Sequence, residues 1–366
     1  MPDRMVLLNP GPVNISERVR KALATPDMCH REEEFYRLQA AVRAKLLQVF
    51  GLDPKEYASV LFTASGTAAV EACVSRFVSP AGTLLVVSNG VYGERICDIA
   101  RRYGTKVLEV KCDYTSRPNL ETIARALREE PRIEAIAAVH HETTTGLINP
   151  IREIGEIARD RKVPLFVDAI SGLAGEELHF VEANVAACAG TANKCIQGLP
   201  GICFVIIRRS EIERMAKIPA RNVYLDLVNQ FRKQEANDTP FTPAVQVMSA
   251  FNEALTELLE ETVPARIERY RFYSRILREG YARLGLKTLL PPDLLSNTIT
   301  SLRLPEEVKY EPVHDFLKAR GFIIYAGQGQ LRSAVFRIAN MGVLKEEELR
   351  AFLAALEEAI RSLRAS

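Results

Sequence analysis

The sequence has no cysteine pair spaced as CxxC, no block of like charge and no apolar run that could span a bilayer. Each absence removes a class of function. Among the 366 residues, 48 Lys and Arg face 46 Asp and Glu, leaving a net charge of +2. With no basic stripe interleaved with aromatics, there is nothing to neutralise a polyanion, and no nucleic-acid partner is expected. A membrane helix needs about 18 to 20 consecutive apolar residues; no stretch approaches that, so no membrane partner is expected. The opening MPDRMVLLNPGP lacks a basic segment followed by an apolar core, and no secretory signal is expected there. The seven cysteines (Cys29, Cys73, Cys97, Cys112, Cys188, Cys195, Cys203) lie mostly in apolar segments such as VAACAG and GICFVII. There a free thiol acts as a small hydrophobe. Neither a disulfide framework nor a metal site is expected, and the expected compartment is the reducing cytoplasm. No P-loop, GxGxxG, internal repeat or low-complexity segment occurs.

What the chain does have is alternation. Apolar runs at 59–64, 83–88, 106–112, 133–142, 163–170, 185–190 and 201–209 are separated by segments of helical period such as VYGERICDIARRYG and NLETIARALREE. Strands apolar at nearly every position are covered on both faces. Strand–helix alternation with short connections predicts an α/β fold: a mostly parallel sheet with helices on both sides. From about residue 245 a long helical stretch gives way to strand, helix, strand. The expected organisation is an N-terminal arm (1–20), a large domain (21–245) and a smaller C-terminal α+β domain (246–366).

In such sheets ligands bind beyond the carboxyl ends of the strands, so the residues just after each run carry the functional reading. SGT after the first run places Ser65, Gly66 and Thr67 at a helix start. They form either an anion cradle or an ordinary helix cap. Tyr92, between glycines in NGVYGE, either covers a flat ligand or packs on its own domain. Thr143, in HHETTTG, either donates to a ligand oxygen or belongs to a turn. Asp168 closes the apolar LFVD, where an unpaired carboxylate is costly. Lys194, in GTANKCIQGLPG, lies just before the last run among small residues. An Asp168–Lys194 salt bridge is the simpler account, but it leaves the cradle unexplained, and buried pairs add little net stability.

One ligand uses all five features. Pyridoxal phosphate needs a lysine for a Schiff base, an acid at its ring nitrogen, a phosphate cradle, an aromatic over its face and a contact to its ring hydroxyl. Lys194, Asp168, the Ser65–Thr67 cradle, Tyr92 and Thr143 would supply them, with desolvation making the Lys194 amine the better nucleophile.

Over essentially its whole length the chain resembles the class V, fold-type I aminotransferases, through LNPGP, SGTAAVEA, VSNGVYGER, ETTTGLINPI, VDAISG, ANKCIQGLPG and FRIANMG. The resemblance implies a pyridoxal-phosphate-dependent fold-type I transferase that takes a small-molecule amine and a keto acid. It is strongest to members that move an amino group from 2-aminoethylphosphonate to pyruvate, giving phosphonoacetaldehyde and alanine. Relatives using alanine or serine with glyoxylate or pyruvate are the alternative, although they usually carry a different residue where this chain has Asn193, itself counted among the cofactor contacts. Cysteine desulfurases place a His there instead. A non-catalytic nucleotide-binding module, which would leave Lys194 ordinary, is the rival outside the fold family. The resemblance further implies that Arg337 clamps the substrate's acidic group and that Pro10 and Gly11 of LNPGP line the substrate entry. It also implies that Thr242 reaches the phosphate of a neighbouring subunit in a homodimer with shared sites. MCHREEEF departs from the pattern of those relatives. There His30 and Arg31 either contact substrate or form a solvated helix start.

Overall fold

The computed structural model describes residues 4–305 and 308–364. The outer limits expected for the arm and the small domain, positions 1 and 366, lie outside them. The seven apolar runs form one sheet: β1 (Tyr57–Thr63), β2 (Thr83–Ser88), β3 (Lys106–Lys111), β4 (Ile133–Val139), β5 (Leu165–Asp168), β6 (Val185–Thr191) and β7 (Ile202–Arg208). They bond in the order β1-β7-β6-β5-β4-β2-β3. Neighbours from β6 through β3 are parallel, whereas β7 is antiparallel to both β6 and β1. The sheet is therefore mostly parallel, as expected. An apolar run carries no direction, so the reversal of β7 has no signature in its residues.

Both faces of the sheet are covered, which is why β2 and β6 are buried at every position. On one face, α1 (Gly66–Phe77) and α2 (Val91–Arg102) pack Val70, Cys73, Phe77 and Ile96 against Val60, Val86 and Val205. On the other, the helix Glu33–Val49 and α3 (Val245–Glu261) meet Phe204 and Ile206. Phe204 stacks on Phe251 with ring centroids 5.8 Å apart. After α3 the chain breaks at Thr262, whose φ is +72°. Its hydroxyl accepts from the Ala265 N–H at 3.4 Å and starts α4 (Val263–Arg283), with Pro264 in the first turn.

A second sheet follows. Its strands β8 (Ile299–Arg303), β9 (Tyr325–Ala326) and β10 (Val335–Ala339) are antiparallel in the order β8-β10-β9. Helices α5 (Tyr310–Ala319) and α6 (Glu346–Arg364) pack beside it. The start of the chain belongs to this part: Val6–Leu7 pairs in parallel with Phe322–Ile323, and the Ala339 N–H donates to the Leu8 carbonyl at 2.8 Å. The consequence is that Pro10 and Gly11 are delivered to the sheet edge where β6 ends. No helix among the described residues is long and apolar enough to cross a membrane.

Candidate functional site

Because six strands point the same way, the segments after β1, β2, β4, β5 and β6 emerge along one edge. Lys194 lies in the loop between β6 and β7. That loop is closed by the Ala192 N–H on Ile202 O at 3.1 Å and the Gly198 N–H on Ala192 O at 2.8 Å. Arg266 of α4 fixes it from behind, donating to the carbonyls of Cys195 and Ile196 at 3.1 and 3.2 Å. The Lys194 amine donates to the Pro10 carbonyl. A Cβ on Gly11, whose φ is +97°, would fall 2.6 Å from Lys194 Cδ and 2.7 Å from Nζ. Only glycine lets the arm lie this close. Burial pulls the amine down from 10.5 to about 8, with the Arg337 and Arg95 charges acting the same way and Asp168 opposing.

Asp168 is the last residue of β5 and is 5% exposed. Its Oδ1 accepts from the Ile170 N–H at 3.1 Å. Burial pushes the carboxyl up from 3.8 to about 6, held back by that N–H and by the charges of Arg95 and Lys194. Asp168 and Lys194 feel each other's charge, yet among the described residues they form no ion pair with each other. The simple salt-bridge account is not what the structure shows.

Ser65 occupies the N-cap of α1 in extended backbone and makes no side-chain cap bond. Its hydroxyl is therefore not spent on the ordinary cap, and the first-turn N–H groups point off the helix end. Gly66 sits against Ile170, where a Cβ would be 2.9 Å from Cδ1. Thr67 Oγ1 accepts from Arg95 at 3.3 Å, and the Arg95 guanidinium lies 4.7 Å from the centroid of the Tyr92 ring. Tyr92 is half-buried in the first turn of α2 rather than in a loop.

Thr143 opens the turn of a hairpin that pairs His141–Glu142 with Leu147–Ile148. The turn reading thus holds for its backbone. Its hydroxyl, however, is buried without a hydrogen-bond partner among the described residues, as is His141 Nε2. The Thr143 carbonyl accepts from Arg337 at 2.9 Å. Arg337 lies in the central strand β10, 5% exposed, and also donates to Ala326 O at 3.0 Å and Gln328 Oε1 at 3.1 Å. Among the described residues it forms no ion pair, although the charge of Glu142 acts on it, so a buried guanidinium with no paired carboxylate faces the site.

Three groups escaped the reading of the sequence: Arg95, Gln328 and Glu142. Glu142 is fully buried, and burial pushes its carboxyl from 4.5 to about 7. The logic that singled out Asp168, an acid directly after an apolar run, would have found it. Arg95 and Gln328 have no such signal, because their relevance depends on which neighbours folding supplies.

Other expected residues are placed elsewhere. Asn193 accepts from the Thr191 hydroxyl at 2.8 Å. Thr242 is exposed, beside Phe241, whose ring lies 5.0 Å from that of Tyr224. Arg31 is exposed and 3.8 Å from Asp238, and His30 is half-buried. Within one chain, Thr242 and Arg31 are not brought to Lys194.

The whole chain has known counterparts. A model of the family "Aminotransferase class-V" matches residues 15–345. A Vibrio cholerae protein named 2-aminoethylphosphonate–pyruvate transaminase is 37% identical over 366 residues, covering 98% of this chain and 99% of the relative. One of the same name from Bacteroides fragilis is 36% identical, covering 97% and 98%. Among solved structures, ureidoglycine–glyoxylate aminotransferase from Bacillus subtilis superposes with a TM-score of 0.93 at 25% identity, over 100% of this chain and 95% of that one. Alanine–glyoxylate aminotransferase from Nostoc gives 0.93 at 25% identity, over 99% and 96%. The extent of these matches and the shared fold place the chain in the class-V aminotransferases, pyridoxal-phosphate-dependent enzymes of fold-type I.

Proposed function

We propose that this enzyme moves an amino group from 2-aminoethylphosphonate to pyruvate, with pyridoxal phosphate held by Lys194. The observation that carries the reading is a buried amine of lowered pKa beside a buried carboxyl, with an uncommitted helix N-terminus on one side and Arg337, buried without an ion pair, on the other. The residues fit the cofactor on their own terms. The Ser65 hydroxyl is not used as a cap and the Thr143 hydroxyl is buried without a partner, so each has capacity for a ligand. The substrate pair rests on the names of the full-length relatives.

When bound, the cofactor supplies a conjugated electron sink for the carbon bearing the migrating nitrogen. The side chains do the rest. Ser65, Gly66 and Thr67 bind the phosphate at the α1 N-terminus. Asp168, ionised at neutral pH, stabilises positive charge on a ring nitrogen. Tyr92 covers the ring face, Thr143 offers its hydroxyl to the ring edge, and Asn193 borders the lysine. With a pKa of about 8, the Lys194 amine is partly neutral near neutral pH. It can take a proton from the substrate carbon that bears the migrating nitrogen and return it to the carbon on the far side of that nitrogen. Arg337 grips the phosphonate or carboxylate in a charge-assisted pair, and Pro10 and Gly11 close the entry.

The proposal extends to a homodimer. Thr242 faces outward beside Tyr224, 41% exposed, and Val223, 77% exposed, an apolar patch that a second copy would cover. In that arrangement Thr242 contributes to the partner's phosphate site, and Arg31, exposed and only 3.8 Å from Asp238, adds positive charge for a phosphonate. The proposed division is an arm to residue 20, a large domain to 245 and a small domain beyond. The seven free thiols favour the cytoplasm. The test is to load the protein with cofactor and follow the visible absorption band against a panel of amines. Bleaching by 2-aminoethylphosphonate supports the substrate, with alanine, the amino product, bleaching the band as well by the reverse half-reaction; bleaching by alanine or serine without any by the phosphonate moves the enzyme to the glyoxylate-using relatives.

A further inference from the structure

The helix that carries Tyr92 and Arg95 begins without a cap of its own. The N-cap of α2 is Gly90, which has no side chain to offer, although an uncapped helix start leaves its first N–H groups unsatisfied. Two of them find partners far along the chain. The Val91 N–H donates to Thr144 Oγ1 at 3.1 Å, and the Gly93 N–H donates to Glu142 Oε2 at 3.4 Å. Thr144 in turn donates its hydroxyl to Glu142 Oε1 at 2.6 Å, and its N–H reaches the same oxygen at 3.1 Å. The fit is close: a Cβ on Gly90 would lie 2.2 Å from Glu142 Cδ. Gly90 is thus the residue that lets a carboxyl from another loop slide under the helix end, where negative charge is favoured.

The two segments joined in this way bear different parts of the site. One presents Tyr92 and Arg95, and through Arg95 touches Thr67. The other presents Thr143, whose carbonyl holds Arg337. Nothing else in the reaction scheme above uses Glu142, although it is fully buried. We propose that Glu142, acting with Thr144, is a positioning residue that caps α2 from outside and so fixes the Tyr92 face of the site against the Thr143–Arg337 edge.

This rests on the cofactor reading above, and the test separates the two. Apo wild type, Glu142→Ala, Glu142→Gln and the isosteric Thr144→Val are titrated with pyridoxal phosphate, and the visible circular dichroism of the bound form is recorded. Glu142→Ala and Thr144→Val are expected to weaken cofactor binding about tenfold, the scale of a lost helix cap, and to shrink the dichroic band. Glu142→Gln, which keeps an acceptor oxygen for the Gly93 N–H while its amide can donate to the Thr144 hydroxyl, should recover binding to within about threefold. A dichroic band and affinity unchanged in both Glu142→Ala and Thr144→Val would overturn the assignment. So would a Gln variant no better than Ala. A wild-type protein that binds no pyridoxal phosphate would instead overturn the cofactor reading on which this one stands.

Discussion

Asp168 should make the empty enzyme less stable, and the size of that effect can be worked from its surroundings. Its carboxyl is 5% exposed, and burial raises its pKa from 3.8 to about 6. A folded-state pKa above the unfolded value means that the folded state holds the proton more tightly between the two. Stability therefore falls as pH rises through that window, and the full penalty stands above about pH 6. At about 1.4 kcal/mol per unit, the penalty approaches about 3 kcal/mol. Asp168→Asn keeps the shape and an oxygen for the Ile170 N–H but removes the titration. In denaturant unfolding of the apo protein, the advantage of the Asn variant over wild type should grow by about 1–2 kcal/mol between about pH 5 and about pH 8. With cofactor the order should invert. Loss of a charge-assisted contact to the ring nitrogen costs about 1.5–3 kcal/mol, or at least about tenfold in affinity. An advantage that is flat with pH, or shrinks as pH rises, would show that the carboxyl is not desolvated as described.

Other consequences concern the neighbours. The Lys194 amine, lowered to about 8, is increasingly neutral as pH rises through that value, so the rate of cofactor capture should rise through about pH 8 and level off well below the ordinary lysine value of 10.5; stopped-flow absorbance against pH reads this directly. Gly11→Ala places a Cβ 2.6–2.8 Å from Lys194 Cδ, Cε and Nζ at a φ of +97°. The backbone strain of about 1–2 kcal/mol should lower the melting temperature, and the displaced lysine should slow capture while the far-ultraviolet spectrum stays unchanged. Arg337→Ala should lower kcat/KM by about a hundredfold or more for phosphonate and carboxylate substrates alike, in keeping with loss of a buried charge-assisted pair. A loss confined to one substrate in steady-state kinetics would mean that the other acidic group is held elsewhere.

The parts of this molecule legible in its sequence are those that burial dictates. Continuous apolar runs announced seven strands, all but the edge strand β3 largely buried, and charged residues next to such runs pointed to Asp168 at a strand end and Lys194 in the loop before the last strand, since a charge there needs a reason. Glu142 also follows an apolar run, but HHETTTG reads equally as a turn, which hides its burial. Arg95 stayed hidden for a different cause. On α2 it occupies an ordinary helical position, and its value comes from Thr67 and Tyr92, which only the folded chain sets beside it. Arg31 and Thr242 mark a third limit. Thr242 was expected from resemblance and Arg31 as one of two readings of a segment that departs from it, and a single chain leaves both exposed.

The central claim is a covalent attachment at one nitrogen. Purified protein loaded with pyridoxal phosphate, reduced with borohydride, digested and sequenced by mass spectrometry should carry the cofactor's mass on Lys194, and Lys194→Ala should carry none. A label on another lysine, or on no residue while the visible band is present, would contradict the assignment of this loop as the heart of the enzyme.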